Sequence, residues 1–228
     1  TMPDYAYMYG IPYQLYKKYG IRRYGVHGTS HRYVSKRVCE FLGVSQEGQR
    51  IITCHVGNGG SVSAIKDGKS IDTSMGFTPV EGLLMGTRVG DIDAGVVSYI
   101  MDKEMIGTAS ISTLLNKHSG VLGVSGVSSD MRELDAACEA GNERAILAEN
   151  MYYYRIKKYV GAYTAALGGA DIIVFTGGVG ENQSKCRSKV CEGLQYMGVS
   201  LDEELNKKIH GDEAVISTPD SKVKVVVI

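Results

Sequence analysis

Apolar positions along this chain of 228 residues recur with two different periods. From Thr29 they fall at Tyr33, Val34, Val38, Phe41 and Leu42, a helical spacing. Thr29 or Ser30 serves as the expected cap and Gly43 as the stop. From Arg50 the period shortens. "RIITCHV" reads as a strand, "GNGG" as a turn, and "SVSAIKDGKSIDTS" as two more strands joined at Asp67-Gly68, a strong hairpin signal. "TPVEGLLMGTRVGDIDAG" is a glycine-punctuated loop. Helices are expected over residues 96–103 and 111–115, in "MRELDAACEAG" and across 143–167, with a short one near 12–18. "GVLGVSGVSSD" reads as a loop. A buried strand in "DIIVFT" meets the glycines of "GGVGEN", a helix runs from about Gln183 to Met197, and "KVKVVVI" is a closing strand. Three antiparallel strands, then helices, then a strand–glycine turn–helix unit predict an α/β fold, a mixed sheet with helices on its faces.

Composition narrows the setting. Basic and acidic residues number 25 each, and no block of like charge appears, so there is no electrostatic footprint for nucleic acid or an anionic membrane. The five cysteines are scattered without a C-x-x-C, which argues against a disulfide framework or a zinc site and fits a reducing cytoplasm. No apolar run reaches the ~18 residues of a membrane span, and no secretory signal pattern opens the chain. The chain begins at Thr1 and stops inside what reads as a core strand, so a fragment of a longer protein is expected.

Chemistry concentrates in the glycine-rich turns. At "DIIVFTGGVGEN" a strand hands over to a helix, where outward backbone amides and the helix N-terminus favour an anion, unless the turn serves only to reverse the chain. "HVGNGGSV" offers the same choice. In "SGVSSDMRE", Asp130 suits a helix N-cap or a ligand contact. Three such turns in one α/β domain fit a nucleotide held by backbone amides from separate loops. Arg88 lies between glycines in "MGTRVGDIDAG", with a planar fork suited to carboxylate or phosphoryl oxygens or to a bridge with Asp91 or Asp93. His27 and His31 flank the capping segment and could equally be packing groups.

Taken together, "YGIRRYGVHGTSH", "HVGNGGSV", "DTSMGFTPVEGLLMGTRVGDIDAG", "SGVSSDMRE" and "FTGGVGEN" resemble the acetate kinase family, in its motif order and over essentially the whole chain. The pattern departs at Val89 and Ala94. The resemblance implies a ribonuclease-H-like, actin-like ATPase domain, with residues 1–228 as the C-terminal nucleotide-binding domain of a two-domain enzyme. It implies reversible phosphoryl transfer between ATP and acetate, giving acetyl phosphate and ADP, or a propionate or butyrate kinase on the same scaffold. His27 and Arg88 match the pair that steadies the phosphoryl group in flight. His55, Val56, Gly57, Asn58 and Gly59 match the phosphate-contacting hairpin. Asp130, Met131 and Arg132, with Gly178, Val179, Gly180, Glu181 and Asn182, match the loops that hold adenosine and ribose. Mg2+ ligands, a catalytic aspartate and a second domain are implied outside this chain, which would leave it able to bind nucleotide but not to turn over. A homodimer through this domain is implied as well.

Overall fold

The structure is a computed structural model that describes residues 2–228; the expectation attached to Thr1 lies outside the described residues. In chain order the elements are α1 (Asp4–Tyr7), α2 (Tyr13–Tyr19), α3 (Gly28–Leu42), β1 (Arg50–Val56), β2 (Gly60–Lys66), β3 (Lys69–Thr73), α4 (Ala94–Lys103), α5 (Thr108–Lys117), α6 (Gly120–Ser125), α7 (Met131–Glu139), α8 (Glu143–Leu167), β4 (Ile172–Thr176), α9 (Gly177–Asn182), α10 (Ser184–Cys191), α11 (Glu203–Lys208), β5 (Ala214–Val215) and β6 (Lys224–Val227).

The sheet order is β3-β2-β1-β4-β6-β5. β1, β2 and β3 form an antiparallel meander, while β4 joins β1, and β6 joins β4, in parallel. This is the mixed sheet that the strand pattern predicts, in the arrangement expected of the ribonuclease-H-like domain that the resemblance implies. Asp67 and Gly68 both have positive φ (51° and 72°), the backbone of a two-residue hairpin turn whose twist matches its strands.

Side chains alternate across the sheet. Ile51, Ile172, Val174 and Val226 face α3 through Val34, Val38 and Cys39. Ile52, Cys54, Val56, Ile173, Phe175, Val225 and Val227 face the opposite way, toward Tyr152, Ile156 and Val160 of α8. Truncating one of these residues, such as Ile173→Ala, costs about 2–5 kcal/mol of stability. Tyr152, Tyr153 and Tyr163 are buried, so the tyrosine-rich helix is core, with Tyr154 left exposed. Among the described residues no helix is long and apolar enough to cross a membrane.

Several elements depart from expectation. The buried stripe of α3 is His31, Val34, Ser35, Val38 and Cys39, while Tyr33 and Phe41 lie on the exposed side. Its N-cap is His27, at a left-handed φ of 61°, rather than Thr29 or Ser30. The expected loop after Ser119 contains α6, anchored by Val121 and Leu122 amides donating to the carbonyls of Met85 and Gly86 at 2.9 and 3.0 Å. The helix expected over 183–197 ends at Cys191, and the glycines before it form a short helix of their own, α9.

Candidate active site

The carboxyl ends of parallel β1 and β4 lie side by side, the place where α/β sheets collect ligands. β1 runs into Gly57 and β4 into Gly177. Gly177 has φ 81°, and a Cβ there would stand 2.8 Å from the Val56 carbonyl oxygen, so the two turns abut only because no side chain intervenes. Gly57 N–H donates to Gly59 O at 3.0 Å and Gly86 N–H to Asn58 O at 2.9 Å, which stitches the β1–β2 turn to the loop that carries Arg88.

Between these turns and the start of α7 opens a cleft of about 560 Å³. It is lined by Gly57 and Asn58, by Ser129 to Arg132, and by Gly178, Val179, Asn182 and Gln183. The volume is within the range of small-molecule sites. Three turns that are remote in sequence therefore meet at one place. Asp130 caps α7 by accepting from Arg132 N–H at 2.9 Å, and its carboxylate also pairs with the Arg132 guanidinium at 2.6 Å. The Arg132 side chain and then its backbone amide hold the Asp130 carboxyl down at about 2, so it is ionised at neutral pH.

The remaining residues singled out by sequence stand behind the cleft. Val56 is fully buried in the sheet. Gly180 is buried, with Phe175 as its neighbour. Glu181 accepts from Gly177 N–H at 2.8 Å and from Thr176 Oγ1 at 3.3 Å, which satisfies the start of α9. Ser129 and Gln183 line the cleft without having been singled out. Gln183 donates through Nε2 to Asp135, while its Oε1 is buried with no hydrogen-bond partner among the described residues. The side-chain amides of Asn58 and Asn182, beside the backbone of the three turns, give this cleft donors and acceptors suited to a nucleoside.

Next to the β1–β2 turn lie three histidines. His27 and His55 stack with centroids 4.2 Å apart, and His31 meets both edge-on. His27 Nδ1 lies 2.8 Å from Ser61 Oγ, and His55 Nδ1 lies 2.8 Å from Ser30 Oγ. Burial is the main cause that lowers the basicity of all three, His27 to about 4 and His31 to about 3. They are neutral imidazoles at pH 7.

A Cβ on Gly59 would sit 3.3 Å from Arg88 Nη1 and 3.9 Å from His27 Nε2, so both side chains reach the same glycine. Arg88 has no carboxylate partner among the described residues. Its nearest acceptors are Pro79 O at 3.5 Å and Met85 Sδ at 3.8 Å. The alternative bridge to Asp91 or Asp93 does not form, because Asp91 accepts from Gly82 N–H and Tyr159 O–H and Asp93 caps α4 through Gly95 N–H. Arg23 braces the same loop, donating to the carbonyls of Thr73, Ser74 and Met75 and pairing with Glu81 at 2.7 Å. An uncompensated guanidinium beside a glycine turn has the chemistry to take anionic oxygens.

Comparison with known proteins decides the family. The model of the acetokinase family matches residues 1–228. The chain belongs to the acetokinase family. This acetokinase chain is 74% identical over 228 residues to the acetate kinase of Bacteroides thetaiotaomicron, covering all of this chain and 57% of that protein. The crystal structure of Porphyromonas gingivalis acetate kinase superposes on it with a TM-score of 0.99 at 59% identity, over 100% of this chain and 57% of the other. A propionate kinase from Francisella tularensis superposes with a TM-score of 0.93 at 42% identity, covering 100% of this chain and 58% of that one. The acetokinase chain thus spans just over half the length of the curated relatives it matches.

Proposed function

We propose that this chain is the nucleotide-binding part of an acetate kinase, which transfers the γ-phosphoryl group of ATP to acetate to give acetyl phosphate and ADP, reversibly. The observation that carries the reading is the meeting of three backbone turns at one cleft, with an unpaired Arg88 beside it. The identity to acetate kinases along the whole of this chain supports the choice of reaction.

In this reading residues 130–132 and 178–182 hold adenosine and ribose, and the 55–59 turn holds the phosphates. Acetate is already an oxygen nucleophile, so the barrier falls through alignment and through charge neutralisation on the phosphoryl oxygens. Arg88 supplies a fixed positive charge. His27 supplies a neutral donor. Both act from a site already shaped for anionic oxygens, so little reorganisation is needed as charge shifts.

Mg2+ neutralises phosphate charge in such reactions. Among the described residues no three His, Cys, Asp or Glu side chains gather into a metal site, and Asp130 and Glu181 are engaged in capping. The described residues therefore do not make a metal cage. In this reading the Mg2+ ligands lie mainly outside these residues, and the protein is a cytoplasmic homodimer through this domain, with neither nucleic-acid nor membrane partners.

Propionate kinase is the second reading, favoured by the 42% identity to the Francisella tularensis protein. An acyl pocket separates chains differing by a methylene by about 1–3 kcal/mol. The test is a phosphoryl-transfer assay with acetate, propionate and butyrate on the full-length protein and on this chain. Acetate should give the highest kcat/KM in the full-length protein, with nucleotide binding but negligible turnover in the 228-residue chain. A preference for propionate or butyrate would move the assignment to that kinase, and absence of transfer to any of them would end it.

A further inference from the structure

A line of hydrogen bonds leads from the sheet to His27. Thr53 Oγ1 on β1 lies 2.7 Å from His31 Nδ1, His31 Nε2 lies 2.7 Å from Ser61 Oγ on β2, and Ser61 Oγ lies 2.8 Å from His27 Nδ1. Thr53 and Ser61 are fully buried and His31 nearly so. Ser61 has one hydroxyl proton and stands between two imidazole nitrogens, so it accepts from one and donates to the other. Two proton arrangements satisfy that rule, and they run in opposite directions.

Thr53 decides between them. Its hydroxyl has no other hydrogen-bond partner among the described residues. If it accepted from His31, its own proton would be a buried donor without an acceptor, which is costlier than a lone pair left unmatched. Thr53 O–H therefore donates to His31 Nδ1, His31 Nε2–H donates to Ser61, and Ser61 O–H donates to His27 Nδ1. The proton of His27 is then on Nε2, the ring nitrogen that reaches Gly59, the glycine Arg88 Nη1 also reaches.

We propose that Ser61, aligned by His31 and Thr53, is a positioning residue that holds His27 as its Nε2–H tautomer, so that His27 and Arg88 present two donors to the same anionic oxygens. The opposite tautomer would turn a lone pair toward those oxygens and repel them. The stacked His55 ring, fixed by Ser30, and the left-handed backbone of His27 leave the imidazole little freedom to swing away. The catalytic value of the arrangement rests on the phosphoryl-transfer reading, whereas the tautomer does not.

The test is 15N NMR of histidine-labelled full-length protein, with His27 assigned from the signals lost in His27→Gln, beside steady-state kinetics. The expected wild-type spectrum has a pyrrole-type Nε2 and a pyridine-type Nδ1 shifted by an accepted hydrogen bond. Ser61→Ala should move Nδ1 toward its unbonded position and relax His27 toward the tautomer mixture of free imidazole. The same variant should lower kcat by about 10–100-fold, the usual cost of losing an outer partner, with KM for ATP little changed. Ser61→Thr, which keeps the hydroxyl, should restore both. A wild-type His27 protonated mainly on Nδ1, or His27 shifts unmoved in Ser61→Ala, would overturn the proposal. An Nε2–H tautomer in a protein that phosphorylates no short carboxylate would support the hydrogen-bond line while ending the kinase reading.

Discussion

Arg187 is fully buried and uses all five of its N–H donors without a single carboxylate. Nη1 donates to Gly180 O and Glu181 O at 2.9 and 2.8 Å, at the end of α9. Nη2 donates to the Asn206 and Ile209 carbonyls at 2.9 Å each, and Nε to the Asn206 amide oxygen at 2.7 Å, at the end of α11. One guanidinium thus gathers carbonyls at the C-terminal ends of two helices, where Asn206 O also accepts from Ile209 N–H at 3.4 Å and Glu181 O from Gly211 N–H at 3.2 Å. Replacing it in Arg187→Met keeps much of the volume and removes every donor. Five bonds from a charged donor at about 1.5–3 kcal/mol each would suggest about 7–15 kcal/mol. Against that, the several kcal/mol of guanidinium desolvation is recovered, and the net cost of leaving a buried charge's partners unmatched is about 3–5 kcal/mol. At about 2–4 °C per kcal/mol for a chain of this size, Tm should fall by roughly 6–20 °C. Because α9 forms one wall of the cleft, ADP affinity should fall with it. Scanning calorimetry with and without ADP measures both. A Tm within about 2 °C of wild type would refute the double-cap role, since that shift is below the cost of one ordinary hydrogen bond.

Arg88→Ala should reduce kcat of the full-length protein by about 10³-fold or more while leaving ATP affinity near wild type, because an arginine on the transferring group is worth about 10³–10⁵ in rate; unchanged kcat would sink the role. Stability should also depend on acidity through the histidines. His31 and His27 have folded-state values depressed mainly by burial, to about 3 and about 4. The stability gained by keeping them neutral is complete above the unfolded value of about 6.5 and drains as pH falls toward those values. At pH 5 His31 alone should cost about 2 kcal/mol, with a smaller share from the more exposed His27, and His31→Gln should flatten the Tm profile between pH 6.5 and 4. A Cβ at Gly86 would collide with Asn58 Oδ1. Gly86→Ala should therefore displace Asn58 and lower kcat while costing about 1–3 kcal/mol of stability, read by kinetics and denaturant melts side by side.

The sheet, apart from the two-residue β5, was legible because β1, β4 and β6 are short runs of apolar, mostly β-branched residues and Asp67-Gly68 can hardly be anything but a hairpin turn. The cap at Asp130 was legible for the same local reason. Helices α6 and α9 were not, since glycine at Gly120, Gly123, Gly177, Gly178 and Gly180 argues against helix and only tertiary partners, such as the Met85 carbonyl, make them form. The face of α3 was misread because aromatic Tyr33 and Phe41 look like core, whereas the buried stripe includes polar His31 and Ser35, which bond to Thr53 on β1 and to the Arg32 carbonyl. Spacing alone made an Arg88–Asp91 bridge as plausible as an unpaired cation. The outcome depended on Tyr159, which is distant in sequence and takes Asp91 away. Arg187 in "KCRSKV" reads as a surface charge, and nothing local announces five buried acceptors around it.

The central claim is that the three turns together form a nucleotide site, and Gly178 offers the cleanest way to test it. No heavy atom lies within 4 Å of a Cβ built there, and its φ is an ordinary one, so Gly178→Leu adds its side chain from open space on a residue that lines the cleft. Calorimetric titration of ADP into wild type and Gly178→Leu is the direct measurement. The account predicts wild-type binding, and a loss of at least about tenfold in the variant, or about 1.4 kcal/mol, at unchanged Tm. Equal ADP affinity in the two proteins would contradict it.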